Sequence, residues 1–102
     1  MVKILKEIDQ RWCDGKPMTS EQILEQAAAV IAERGAAYGD FGESITAIAK
    51  RWSITLDRHV TPSQVVLCMI DLKLTRLRHD PTHHDSLLDI IGYTALLPEA
   101  IR

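Results

Sequence analysis

The fold of this chain is decided by residues 82–97, which read THHDSLLDIIGYTALL. Thr82 follows a proline and precedes Asp85 by three positions, which is typical of a helix N-cap followed by an acidic first turn. From Leu87 onward the segment is apolar on nearly every face, and such a helix is surrounded by other helices. The stretch therefore predicts the central helix of an all-α bundle.

One face of this predicted helix is not apolar. Asp85 and Asp89 lie one turn apart and stack on the same side, and Gly92, Tyr93 and Leu96 continue that line. Two neighbouring carboxylates repel each other, and a buried carboxylate without a partner is unstable. Water, a cation or a basic side chain from elsewhere in the chain must therefore meet them, and this acidic pair is the strongest functional signal in the sequence.

Bulk composition excludes several classes of protein. A length of 102 residues predicts one domain, residues 1–102, that can bury a hydrophobic core without disulfide bonds or a structural metal. A net charge of −2 argues against partners such as DNA, RNA or an acidic membrane surface. No apolar run suits a membrane span or a signal peptide, and two cysteines without CxxC spacing indicate free thiols. We expect a cytoplasmic protein.

Periodicity and capping signals predict a compact bundle of four main helices plus a short N-terminal one. A capping box begins the first main helix at Thr19, and Thr61 with Pro62 begins the third. The helices are expected at residues 1–12, 19 to about 35, 43–56, 61–79 and 82–97.

In the third main helix, polar residues leave more than one interpretation open. Lys73 and Arg76 are expected to point away from the core, where a solvated face explains them without a ligand. Asp71 falls on the apolar side, and a partly buried carboxylate paired within the helix or with a neighbour is favoured over a metal-ligand role. The residues expected to face the core are Leu67, Ile70, Leu74 and Leu77.

Residues 34–43, RGAAYGDFGE, combine three glycines with two aromatic residues. Glycine permits positive φ and a close backbone approach. The segment is either a tight helix–helix connection plugged by Tyr38 and Phe41, or a binding loop whose polar groups include Arg34, Asp40 and Glu43.

Three histidines near Asp85 suggest a transition metal, but their spacing matches no compact zinc pattern. An exposed connection rich in histidine is the favoured interpretation of His79, His83 and His84.

Five separated motifs between residues 20 and 97 together resemble a family of small phage and prophage proteins of mostly unassigned function. In order, the motifs are Arg34-x-x-x-Tyr38-Gly39-Asp40, Ile48-Ala49-x-x-Trp52, Thr61-Pro62, Met69-x-x-Leu72-Lys73-x-x-Arg76 and Asp85-Ser86-x-x-Asp89-Ile90-x-Gly92-Tyr93. That family is similar in turn to the MazG-like all-α nucleoside triphosphate pyrophosphohydrolases, mainly through the acidic pair that opens an apolar helix.

The MazG-like resemblance implies a magnesium (or manganese) ion held by acidic residues on two adjacent helices. The Glu-x-x-Asp element of those enzymes is matched here by Asp85-x-x-x-Asp89, with Asp for Glu and one extra residue of spacing. Their Glu-Glu-x-x-Glu element is absent, and Glu43 is the best single candidate for it, with Asp71 behind. The number of metals and hydrolysis itself therefore stay open.

On this interpretation the catalytic and metal-binding residues are Asp85, Asp89 and Glu43. Magnesium needs only one or two carboxylates besides substrate phosphates, and it would help to activate a water molecule. Lys73 and Arg76 would stabilise charge on the phosphates. The remaining substrate-binding candidates are Arg34, Tyr38, Asp40 and Tyr93.

Three functions follow as hypotheses. The first is a magnesium-dependent enzyme that cuts a (deoxy)nucleoside triphosphate to monophosphate and pyrophosphate in phage nucleotide metabolism. The second is a non-catalytic phage protein that binds or sequesters a nucleotide or nucleotide-derived signal on the same scaffold. The third is a helical interaction module.

The resemblance also bears on assembly and location. A homo-oligomer, either a dimer or a tetramer, is expected because short helices leave apolar faces such as Ile4, Ile8 and Trp12 in need of cover. The site would then draw residues from two chains. For a phage-encoded protein, the expected location is the host cytoplasm.

Overall fold

The chain folds into four α-helices joined by short connections. In a computed structural model, which describes residues 18–101, the helices are α1 (Ser20–Tyr38), α2 (Phe41–Leu56), α3 (Pro62–His79) and α4 (His84–Ile101). No β-strand occurs in this part of the chain, so the predicted all-α class and the four main helices are confirmed. The N-terminal helix predicted at residues 1–12 lies outside the described residues.

Helix α4 is the centre of the bundle, as its apolar sequence predicts. It packs against each of the other three helices, and its contact with α3 is the most extensive. Helix α1 packs mainly against α4, whereas α2 also contacts α3. This arrangement leaves a cleft between α1, the beginning of α2 and one side of α4.

The main core lies where α2, α3 and α4 meet. Its buried residues are Ile45, Ala49, Val65, Val66 and Ala100. Partly buried side chains packed around them are Phe41, Trp52, Val60, Met69, Ile70, Tyr93 and Leu97.

The face of α3 that enters the core differs from the predicted one. Leu67 and Leu74 are each 49% exposed, so their prediction as core residues is wrong. Asp71 lies between them and is exposed, not partly buried. The face of α3 that points inward instead runs from the fully buried Val65 to Lys73, two turns later. Val65 and Val66 are both fully buried, and their packing fixes how the helix is rotated.

Two of the predicted helix starts are confirmed as capping boxes. The Thr19 hydroxyl accepts from the Gln22 backbone N–H at 3.2 Å, and the Gln22 side chain accepts from the Thr19 N–H at 2.9 Å. Thr61 and Gln64 repeat the same pair of bonds with Pro62 at the first helical position. These bonds satisfy backbone donors that an isolated helix end leaves free.

The connection between α1 and α2 begins later than predicted. Helix α1 continues past Gly35 to Tyr38, and Gly39 ends it with φ of 84° and ψ of −155°, a backbone conformation that glycine alone adopts readily. Asp40 then caps α2 by accepting from the Glu43 N–H at 2.8 Å. The glycine therefore determines where the chain turns into the cleft.

The start of α4 is also different. Thr82 does not cap the helix, because its N–H and hydroxyl both donate to Asp80 Oδ1, at 3.0 and 2.7 Å. His83 takes that place, since its Nδ1 accepts from the Ser86 N–H at 3.2 Å. A histidine ring here replaces the usual hydroxyl or carboxylate cap.

Among residues 18–101, none of the four helices is both long enough and apolar enough to cross a bilayer.

Candidate ligand-binding cleft

A cavity of about 560 Å³ occupies the cleft between α1, the start of α2 and α4. This volume lies within the range of small-molecule pockets. Small and apolar side chains make up much of its wall, and polar groups enter at a few positions. The residues used below are Arg34, Tyr38, Phe41, Asp89, Gly92 and Tyr93.

Asp89 provides the buried charge of this wall. Its side chain is only 4% exposed and lies between two cations from different helices. Oδ1 is 2.8 Å from Arg34 Nη1 on α1, and Oδ2 is 3.0 Å from Lys73 Nζ on α3. Basic side chains from two other helices therefore pair with this carboxylate. Of the three partners that the sequence allowed, namely water, a cation or a basic side chain, the last is the one present.

The two cations differ in their access to the cavity. Lys73 is 11% exposed and does not line the cavity, so it neutralises the Asp89 carboxylate on the side away from the cavity. Arg34 is 48% exposed and forms part of the cavity wall. Of the two, only Arg34 is open to a ligand.

Asp89 Oδ1 has no hydrogen bond, although it is fully buried. The Arg34 guanidinium forms an ion pair with this oxygen at 2.8 Å, so a cationic group faces it. Most buried carboxylate oxygens accept at least one hydrogen bond. The charge of this buried oxygen is therefore compensated by Arg34, and the half-exposed guanidinium is the group of this ion pair that a ligand can reach.

Aromatic rings line another part of the cavity. The Phe41 and Tyr93 rings pack with centroids 6.4 Å apart and planes tilted by 48°. Tyr38 is 79% exposed at the end of α1. Such rings offer apolar faces on which a planar ligand group can stack.

Gly92 enlarges the cavity where α4 passes α1. The residue is buried, and a Cβ added there would lie 3.7 Å from Ile31 Cγ1, which is ordinary van der Waals contact. Any side chain longer than alanine would extend toward α1 and into the cleft. The absence of a side chain at Gly92 therefore keeps the cleft open between α1 and α4.

The structure brings some of the predicted site residues together and separates others. Five of the nine line the cavity: Arg34, Tyr38, Asp40, Asp89 and Tyr93. Lys73 does not line it but pairs with Asp89 on the side away from the cavity. The remaining three, Glu43, Arg76 and Asp85, do not line it either.

These three residues have other surroundings. Glu43 is exposed and borders a separate surface depression with Lys50 and Glu99. Arg76 is exposed on α3. Asp85 is half-buried in the first turn of α4, without an ion-pair partner among residues 18–101.

The described residues of one chain do not form a complete metal site. Between residues 18 and 101, no three or more His, Cys, Asp or Glu side chains are placed to hold an ion. Both oxygens of Asp89 already face cationic groups. Magnesium binding by the set Asp85, Asp89 and Glu43 therefore stays a prediction.

The histidine cluster is mostly structural. His83 is the α4 cap described above, and His79 is exposed at the end of α3. His84 was expected in an exposed connection, but it is 3% exposed and its Nε2 lies 2.6 Å from Gln26 Oε1 on α1. This contact ties the start of α4 to α1, and sequence spacing offers no signal for it.

Comparisons with known proteins give a family and phage relatives. The model of a domain of unknown function, DUF6378, matches residues 22–101. The Gene 55 protein of Mycobacterium phage D29 is 36% identical over 75 residues, which are 72% of this chain and 50% of that protein. The Gene 55 protein of Mycobacterium phage L5 is 37% identical over 81 residues, 78% of this chain and 47% of that protein.

The chain thus spans about half the length of the curated relatives that it matches. No solved structure matches it. The predicted resemblance to phage proteins of unassigned function is confirmed, whereas the likeness to MazG-like enzymes stays a hypothesis.

Proposed function

Since this chain belongs to the DUF6378 family, whose function is unknown, we propose one from its own geometry: the cleft between α1 and α4 binds a nucleotide. The observation that carries the proposal is the placement of Arg34. Its half-exposed guanidinium lies in the wall of a cavity of nucleotide size, beside a buried carboxylate and near aromatic rings. A phosphate would pair with the guanidinium, and the base would stack on an aromatic face.

The charge of the wall limits how a triphosphate would bind. Arg34 is the one cationic side chain among the described residues that line the cavity, and Asp40 and Glu99 add carboxylates to it. A bare triphosphate would be repelled by these groups. The nucleotide would therefore enter as its complex with a divalent cation, in which phosphate oxygens supply most of the ligands.

Calorimetric titration of the protein with NTPs and dNTPs, with and without Mg²⁺, tests this function. We expect binding with Mg²⁺ and at least a tenfold loss of affinity in Arg34→Gln, because a charge-assisted contact is removed. Arg51→Gln is the matched control, since Arg51 is exposed on α2 and does not line the cavity. The proposal fails if no nucleotide binds, and an interaction module is then the remaining function.

A second candidate is the magnesium-dependent pyrophosphohydrolase of the MazG-like kind. Asp85 favours it, because this half-buried carboxylate has no ion-pair partner among residues 18–101 and lies one turn before Asp89. The missing metal ligands would then come from a second copy or from residues outside the described range.

Release of pyrophosphate from NTPs and dNTPs with Mg²⁺ or Mn²⁺ distinguishes the two candidates. For the enzyme, we expect release that Asp85→Asn abolishes and Asp71→Asn leaves unchanged, because Asp71 is exposed on α3 away from the cavity. Tight binding of a nucleotide that is recovered intact supports capture without turnover.

Self-association and location are part of the proposal. Large apolar side chains are exposed on the surface, among them Ile54 at 78% and Leu56 at 58% at the end of α2. A dimer or tetramer would cover such side chains, and light scattering coupled to gel filtration would measure its mass. The host cytoplasm is the proposed site of action, where nucleotides are abundant.

A further inference from the structure

The charge of the cleft wall indicates which form of phosphate is recognised. On the premise that the cleft binds a nucleotide, we propose that its ligand is a nucleoside phosphodiester, whose phosphate carries a single negative charge. A phosphodiester is a phosphate esterified twice, as in a 3′,5′-cyclic mononucleotide or a dinucleoside monophosphate. Unlike a triphosphate, such a ligand needs no divalent cation to neutralise it.

The first step of the argument is the number of cations that a ligand can reach. Arg34 is 48% exposed, and it is the one cationic side chain among the described residues that line the cavity. Its guanidinium has five N–H donors, so it can contact a phosphate with one edge while Nη1 stays 2.8 Å from Asp89 Oδ1. The wall therefore offers one charge-assisted contact, which suits one negative charge.

The second step is the balance of charge around this contact. Three carboxylates line the cavity, those of Asp40, Asp89 and Glu99. Lys73 pairs with Asp89 from outside the cavity, so two cations face three carboxylates, and the formal net charge of these described side chains is −1. A first negative charge on the ligand gains the contact with Arg34. A second one would meet only the repulsion of the carboxylates.

The third step is the chemistry of a phosphate with a single charge. A terminal phosphate loses its second proton at about pH 6, so it carries a charge of about −1.5 to −2 at pH 7. A phosphate esterified twice has no second proton to lose, and its charge stays at one. The Phe41 and Tyr93 rings, packed beside each other in the wall, remain available to the base.

The experiment is a calorimetric titration of the full chain in EDTA with three forms of each nucleoside: the free nucleoside, the 5′-monophosphate and the 3′,5′-cyclic monophosphate. Dinucleoside monophosphates are titrated beside them, and the tighter of the two phosphodiesters identifies the source of the ligand. At about pH 7.5, where the monophosphate is doubly charged, we expect the phosphodiester to bind about tenfold tighter than the monophosphate. It should also bind tighter than the nucleoside, which has no phosphate to contact Arg34.

A second titration at lower pH separates charge from shape. At about pH 5.5 a terminal phosphate is mostly singly charged, whereas a phosphodiester is unchanged. The preference for the phosphodiester should therefore fall to about twofold. The titratable and charged side chains of the wall act on both ligands, so the ratio of the two affinities reports the phosphate; these side chains are Arg34, Tyr38, Asp40, Asp89, Tyr93 and Glu99.

Two variants assign the preference to the cleft. Glu99→Gln removes a repelling carboxylate, so the preference at about pH 7.5 should shrink at least twofold. Glu25→Gln is the matched control, since Glu25 is exposed on α1 and does not line the cavity. In Arg34→Gln the affinity for the phosphodiester should fall to that of the nucleoside. The two titrations of the unaltered protein keep the test valid if a variant does not fold.

The outcomes separate this inference from the proposed function. A monophosphate or a nucleoside that binds as tightly as the phosphodiester at about pH 7.5 overturns the inference. A preference that persists at about pH 5.5 also overturns it, because shape would then select the ligand. Binding of NTPs with Mg²⁺ but of no phosphodiester overturns the inference and leaves nucleotide binding intact. Absence of binding by every nucleotide overturns both.

Discussion

Lys73 Nζ lies 3.0 Å from Asp89 Oδ2, and this ion pair joins α3 to α4 inside the bundle. Neither side chain is more than 11% exposed. Lys73 thus neutralises the carboxylate on the side away from the cleft, while Arg34 does so on the side that a ligand reaches. The pair links the stability of the bundle to the chemistry of the cleft.

We predict that Lys73→Met lowers the free energy of unfolding by about 3 kcal/mol, the lower end of the range for breaking a buried ion pair, because Arg34 still faces Asp89. Urea denaturation measures the change. Arg76→Met on the same helix is the control and should stay within about 0.5 kcal/mol, since Arg76 is exposed. Equal effects of the two substitutions would contradict the role assigned to Lys73.

Gly92 allows stability and ligand binding to be tested separately. Gly92→Ala should raise the free energy of unfolding by about 0.5–1 kcal/mol, because alanine favours the helix and its Cβ makes only ordinary contact with Ile31. Gly92→Leu should instead fill the cleft and reduce nucleotide affinity at least tenfold. Thermal unfolding and calorimetric titration measure the two effects, and unchanged affinity in a folded Gly92→Leu protein would place the ligand elsewhere.

Substitution of Gly39 by alanine is expected to destabilise the protein, in contrast to Gly92→Ala. Gly39→Ala should lower the free energy of unfolding by about 1–3 kcal/mol, because its φ of 84° and ψ of −155° exclude a side chain. Gly35→Ala is the control, since Gly35 lies inside α1, and an added Cβ there meets nothing within 4 Å. Stabilisation by both substitutions would show that the turn has a different backbone conformation.

His83 and Thr82, two neighbouring residues at the start of α4, are expected to contribute differently to stability. His83→Ala should lower the free energy of unfolding by about 1 kcal/mol, as expected for loss of a helix cap, because the Ser86 N–H loses its acceptor. Thr82→Ala removes only an exposed hydrogen bond to Asp80 and should have a smaller effect. Denaturation at neutral pH measures both, and a larger effect of Thr82→Ala would restore the cap predicted from the sequence.

The lowered pKa of Asp80 predicts that the free energy of unfolding falls slightly in acid. Hydrogen bonds from the Thr82 hydroxyl and then its N–H, together with nearby His83 and His79, hold the pKa of Asp80 below its ordinary value of 3.8. A carboxyl whose pKa is lowered by folding stabilises the native state above the unfolded pKa, and this stabilisation is lost as the pH falls through the folded pKa. Thr82→Ala should therefore flatten the acid limb of a plot of stability against pH, which denaturation at a series of pH values measures; an unchanged limb would contradict this origin.

Several features of the fold follow from local sequence alone. The capping boxes at Thr19 and Thr61 involve residues only three positions apart, so their hydrogen bonds form wherever the helix forms. The central position of α4 follows from its apolar faces, since such a helix must be covered on several sides. The line from Asp89 to Leu96 follows from helical periodicity, and it does border the cleft.

The tertiary structure decided how the helices are rotated and which charges meet. Local pattern favoured Leu67 and Leu74 as the inner face of α3, but packing of Val65 against α2 and α4 turned that face outward and brought Lys73 inward. Arg34, Lys73 and Asp89 lie on three different helices, so no spacing within one segment could reveal their contact. Periodicity specifies which residues share a face of a helix, whereas the partner of that face depends on how all the helices pack together.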